Sequence, residues 1–354
     1  MAKFNLIITA DYEVFGNGSG VVMTCMVNPT SNLLSICDDT KAKLTIFMDV
    51  CELWAFEEVE KNGLWDLDYS PSDQIKSQLK VAVQKGHDVQ LHFHPQWLDY
   101  TYLGKGGWKL NHDKWRLPSL DEVEIDSLFK RGKETLETLL QPIKKDYVCN
   151  VFRAGGWCIQ PEENILKAMQ NHGFKVESSV APGVSSLQVD RFFDFSSSPD
   201  LPQWTIKSKV TEHGEGTLLE VPIFTAEMDG VTRSKFLAKR LNRKVGFKPA
   251  GCTGYAETTT KKSKFSKVVD LLKTQKSMFN FSDATTVEEM RWFIGQARKK
   301  YQSQKGSIPL VMIGHPKTFA SEKELKEFLF WASKQEDISF TDYNSYLNEY
   351  QSFS

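Results

Sequence analysis

The chain has 354 residues, 40% of them apolar and 25% charged, with a formal net charge of -1, a composition that allows a sizeable core and excludes a global pull toward nucleic acid or anionic membrane. No window approaches the roughly 20 apolar residues of a membrane span, and the opening Met1 to Ala10 lacks the apolar core and cleavage site of a secretory signal. The six cysteines (Cys25, Cys37, Cys51, Cys149, Cys158 and Cys252) contain no CxxC pair, which argues against a zinc knot or a disulfide framework and for a reducing, cytoplasmic setting.

Short apolar, β-branched runs alternate with helical periodicity, the pattern of βα units around a largely parallel sheet. Phe4 to Ala10 and Leu44 to Met48 are predicted strands, followed by a helix from Ser72 to Gln84 and a strand from Val89 to His94. Ser119-Leu-Asp-Glu122 reads as a capping box opening a helix that ends near Pro142. Val148 to Phe152 is a strand, Glu162 to His172 a helix closed by Gly173, and Phe174 to Ser178 the next strand. Leu218 to Ile223 and Met278 to Ser282 add strands, Thr285-Thr-Val-Glu288 opens a helix reaching Tyr301, and Ile308 to Ile313 is a β-rich run. A last helix, Glu322 to Lys334, precedes Ile338 to Phe340. Residues 97–118, with Trp97, Trp108 and Trp115, and residues 181–217 break the alternation as long insertions over one barrel mouth. With no repeat or linker, residues 1–354 form a single domain.

Polar residues collect where strands end. His92 and His94 are two apart, so on a strand they share a face and are spaced to chelate one metal ion, though a pair of hydrogen-bonded histidines would look the same. Asp11 and Glu13 share a face for the same reason, offering one carboxylate to a metal and another to take a proton from water; alone, they are simply an acidic loop. In Arg153-Ala-Gly-Gly-Trp157 the glycines allow close backbone approach, Arg153 can hold a carboxylate, and Trp157 offers a flat wall for a sugar ring. His315, between Gly314 and Pro316, is the candidate acid that protonates a departing amine. Tyr12 and Trp97 join Trp157 as candidate substrate-binding residues. Lys261, Lys262, Lys264 and Lys267 read as a solvated helix edge, His87 as a turn histidine, and His112, His172 and His213 as surface histidines.

Asp11-Tyr-Glu13, His92-Phe-His94-Pro95, Arg153-Ala-Gly-Gly-Trp157 and Gly314-His315-Pro316 follow the order of motifs in the NodB-homology polysaccharide deacetylases, carbohydrate esterase family four, which the chain resembles over most of its length. The resemblance implies an α/β fold, a distorted (β/α) barrel, and a divalent metal, usually zinc, with cobalt, nickel or manganese as alternatives. By it, Glu13, His92 and His94 resemble the metal ligands, Asp11 the general base steadied by Arg153, and His315 the general acid. The chain departs from the family in two places: Tyr12 separates the acids, and the position four before His94 is Gln90. The activity implied is removal of an N-acyl group, foremost N-acetyl, from an amino sugar, sugar nucleotide or lipid-linked glycan in surface-polysaccharide biosynthesis. A hydrolase of non-sugar amides and a glycan-binding pseudoenzyme are the alternatives.

Overall fold

Strand β1 (Ala2–Tyr12) is buried from Phe4 onward because neighbours flank it on both edges, as its nearly unbroken apolar run requires. In the computed structural model, which describes residues 2–242, 273–282 and 285–353, it is central to a nine-stranded sheet. The other members are β2 (Leu44–Asp49), β3 (Asp88–Phe93), β4 (Val151–Ala154), β5 (Val176–Glu177), β6 (Trp204–Thr205), β7 (Leu219–Glu220), β8 (Gly306–Gly314) and β9 (Ile338–Phe340). Their order is β6-β7-β5-β4-β3-β2-β1-β8, with β9 also on β1. Every pairing is parallel except β6 with β7.

The sheet curls until its edges nearly meet. Parallel bridges from Ile223 to Val311 and from Asn280 to Ile313 bring the segments after β7, and before the late helices, against β8. The result is an α/β fold with a distorted parallel barrel, as expected, and the two predicted runs at Leu218 and Met278 shrink to short strands and bridges. Among the described residues the apolar core is one cluster running from Phe4 to Leu347.

Helices α1 (Asn28–Thr40), α2 (Val50–Lys61), α3 (Pro71–Gln84), α4 (Glu122–Leu140) and α5 (Glu163–Asn171) cover the sheet, followed by α6 (Gly230–Asn242), α7 (Val287–Lys300), α8 (Glu322–Ala332) and α9 (Tyr343–Phe353). The capping box of α4 is formed by Asp121 and Glu124, not Ser119 and Glu122. Both pairs have the right spacing, and a short turn over Leu117–Ser119 takes up the first. Helices α1 and α2 did not stand out in the sequence: Val50–Lys61 is buried around most of its circumference, so its apolar residues form no single stripe.

Residues 100–110 form a two-stranded hairpin (Tyr100–Gly104 with Gly107–Leu110), and Ser185–Ser186 pairs with Phe193–Asp194 in the second insertion. Cys37, Cys51, Cys149 and Cys158 are buried, while Cys25 is disulfide-bonded, which their spacing did not announce. No described helix is long and apolar enough to cross a membrane. The lysines at 261, 262, 264 and 267 lie outside the described residues.

Candidate metal centre

Register places the polar groups before any side chain is considered. Asp49 pairs with His92 and His92 with Arg153 across β2, β3 and β4, so these three project into the barrel on one level. Asp11 aligns with Phe47, two residues before Asp49, which puts Asp11 and Glu13 on that interior face too. His94 and His315 follow directly on β3 and β8. All these groups therefore gather at the C-terminal ends of parallel strands, where such barrels carry their sites.

The same alternation turns Tyr12 away. It lies between two inward carboxylates, so its ring faces the helices, where its hydroxyl donates to Gln78 Oε1 on α3 at 2.6 Å; the expectation of a substrate contact there is corrected. Trp97 is corrected as well, being 2% exposed and packed against Phe56 and Trp108 beneath the hairpin. Gln90 is no ligand either, since its Oε1 accepts from Asn150 N and Val151 N, splicing β3 to β4.

Glu13, His92 and His94 form a buried group whose ligand atoms lie within 4.8 Å of one another. The Nε2 atoms of His92 (3.4 Å) and His94 both face Glu13 Oε2. All three atoms are buried without a hydrogen-bond partner, so a cation, whether proton or metal, is what the trio can satisfy. His92 Nδ1 lies 2.7 Å from Arg153 O. A carbonyl only accepts, so Nδ1 carries a proton, and Nε2 is the atom turned to Glu13. The Gln96 amide lies 3.1 Å from His94 Nδ1. Gly155 makes room for this ring, because a Cβ there would come within 2.8 Å of His94 Nδ1.

Charges surround the trio in pairs. Arg153 Nη1 donates to Asp11 Oδ1 at 2.7 Å and to Thr9 Oγ1 at 2.9 Å, its Nε donates to Ser178 O at 2.9 Å, and its guanidinium sits 4.1 Å over the Phe47 ring. Burial raises the Asp11 carboxyl, but Arg153, with His92 and His315, outweighs it and holds Asp11 below the usual carboxylate range. Glu13 is likewise opposed by burial yet driven well down by His94 and Lys317. Burial lowers His92, and Glu13 and Asp11 more than reverse that. His315 Nε2 is 3.6 Å from Asp11 Oδ2, and burial, aided by Lys317, holds it below the ordinary histidine value. The imidazole is therefore neutral at rest.

Three contributors escaped the sequence reading. Asp49 caps α2, its Oδ1 accepting from Cys51 N and from His94 N, both at 3.1 Å; burial lifts its carboxyl to about 6. Glu52, on the next turn, accepts from Val14 N at 3.1 Å, pinning the chain just after Glu13. Lys317 donates to Glu13 Oε1 at 2.5 Å and to Val14 O at 2.9 Å. Asp49's place at a strand end was a usable signal; Lys317, two residues after His315, had none.

A cleft of about 690 Å³ opens onto Asp11, Glu13, His94, His315 and Lys317, with Phe15, Trp115, Trp157 and Phe193 as aromatic walls. Trp157 is held at φ 58°, a region that costs a non-glycine residue roughly 1–2 kcal/mol.

No known protein-family pattern matches the chain, and no curated protein does. Solved structures are similar in fold. The PuuE allantoinase is 12% identical, with 99% of this chain and 91% of that one covered and a TM-score of 0.49. A Mycobacterium smegmatis protein assigned to the polysaccharide deacetylases is 13% identical, with 99% and 91% covered and a TM-score of 0.48. The family 4 carbohydrate esterase from Streptomyces lividans, in complex with acetate, is 8% identical, with 96% and 93% covered and a TM-score of 0.40. Likeness at these values concerns the barrel and does not choose a reaction.

Proposed function

We propose that this protein is a divalent-metal-dependent hydrolase, a single catalytic domain that removes an N-acyl group, foremost N-acetyl, from an amino sugar or glycan precursor. The observation that carries this reading is the meeting of three unpartnered buried ligand atoms, on Glu13, His92 and His94, beside an Asp11 held in place by Arg153. Two imidazoles and one carboxylate suit zinc best, with cobalt, nickel and manganese as alternatives. The aromatic cleft favours a substrate with flat, partly apolar ring faces, such as an amino sugar on a nucleotide, a lipid or a growing glycan. Surface-polysaccharide biosynthesis is the proposed setting, by analogy with the family that the motifs resemble.

An ion held there supplies Lewis acidity and makes water acidic enough to react near neutral pH. Asp11 takes the proton from the attacking water. Arg153 occupies Oδ1, leaving Oδ2 toward His315 and the cleft, and its stacking on Phe47 and its bonds to Thr9 and Ser178 keep the carboxylate from turning. His315 is neutral at rest, so any proton it gives the departing amine is one it gains during the reaction, from the side where Asp11 lies. Trp115 and Trp157 orient the ring that bears the amide.

The test is metal content by mass spectrometry together with acetate release from N-acetylated amino sugars in added zinc or cobalt. Asp11→Asn is expected to keep one equivalent of metal and to lose about 10³-fold in turnover. His94→Ala is expected to lose the metal. An Asp11→Asn variant that turns over normally, or wild-type protein that takes up no metal, would overturn the reading. Release from simple amides but not from amino sugars would point to the non-sugar hydrolase.

A further inference from the structure

Lys317 brings a second cation to the proposed metal ligand. It lies in the short turn Pro316–Thr318 that follows β8 and His315, and its side chain is only 11% exposed. An ammonium is buried at a cost unless it is paired, and here Nζ bonds to Glu13 Oε1 and to Val14 O. The ammonium also lies 5.6 Å from the centre of the Phe15 ring. Glu13 thus has its two oxygens committed in different directions: Oε1 to Lys317, and Oε2 to the Nε2 atoms of His92 and His94.

Two of the site's carboxylates are already matched by protein cations. Asp11 is matched by Arg153 and Glu13 by Lys317, so a divalent ion held by Glu13, His92 and His94 would share its carboxylate ligand with an ammonium. Like charges held close together at a buried site repel even at an effective dielectric near 20.

We infer that Lys317 is a positioning residue that restricts Glu13 to one-oxygen ligation through Oε2 and holds down the site's affinity for a divalent cation, keeping coordination positions open for water and substrate. The inference rests on the metal-centre reading above. One-oxygen ligation leaves the shell unfilled, as a hydrolytic site needs, and an ion bound less tightly exchanges more readily.

The experiment is Co²⁺ titration of the full chain against a competing chelator, read by both affinity and the visible absorption of the bound ion. Lys317→Met is expected to bind Co²⁺ at least roughly 10-fold more tightly than wild type, with weaker visible bands as Oε1 joins the shell and coordination rises. Lys317→Arg, which restores the charge, is expected to return to wild-type affinity. Lys317→Gln keeps a donor for Val14 O without the charge and is expected to match Lys317→Met, so it decides the matter should the methionine variant not fold. Neutral variants with wild-type or weaker affinity overturn the inference while leaving the metal centre standing. Wild-type protein that binds no Co²⁺ overturns the metal centre, and the inference with it.

Discussion

Two aromatic clusters flank the barrel mouth, and they differ in what their ring faces meet. Under the hairpin, Trp65 stacks on Tyr102 at 5.4 Å, while Trp108 meets Trp97 at 5.1 Å and Phe56 at 5.3 Å. These rings satisfy one another, and Trp97 and Trp108 are at most 9% exposed. On the other side Trp115 lies edge-on to His94 at 6.0 Å, with His112 stacked on it at 5.7 Å and the Arg191 guanidinium 5.0 Å over its ring, and Trp157 lies edge-on to Phe193 at 5.8 Å; both line the cleft. Trp97, Trp108 and Trp115 belong to one insertion and look alike in sequence. Ring density therefore does not mark a sugar-binding wall; rings that meet polar groups and border the cleft do.

Trp97→Ala tests the closed cluster hardest. It is expected to cost about 3–5 kcal/mol of stability, as for other large buried aromatics, measured by denaturant unfolding, with KM unchanged in whatever protein remains folded. A raised KM without loss of stability would break the comparison. Trp115→Ala is expected to do the reverse, raising KM about 10-fold, near 1.4 kcal/mol, with a smaller loss of stability than Trp97→Ala. Trp157 sharpens the contrast with the smallest effect. Trp157→Ala and Trp157→Gly should both raise KM, but the glycine variant is expected to be the more stable by about 1 kcal/mol, because glycine tolerates φ 58°. Equal stability in the two would mean that the backbone there is not strained.

Much of the centre was legible because the period of a strand is local. Asp11 with Glu13, and His92 with His94, had to share faces wherever their strands ended up. The same period sends Tyr12 to the opposite side. The fold class followed from the alternation of apolar runs and helical stretches, although helices buried all round, such as α2, left no stripe to find. The start of α4 was ambiguous for a different reason: Ser119 and Asp121 offer equivalent caps, and only the short turn at Leu117–Ser119 selects the second.

By itself, then, the chain's order of residues determined which side chains travel together: two acids, two imidazoles, and an arginine beside a pair of glycines. Which strands became neighbours was decided by the curled sheet, which lays β1 between β2 and β8 across long stretches of sequence. Lys317 reaches Glu13 across 304 positions, Asp49 reaches the His94 amide across 45, and Trp97 disappears beneath a hairpin that its own composition did not foretell. Spacing along one strand is a matter of bond geometry, whereas contact between strands depends on how the whole apolar core packs.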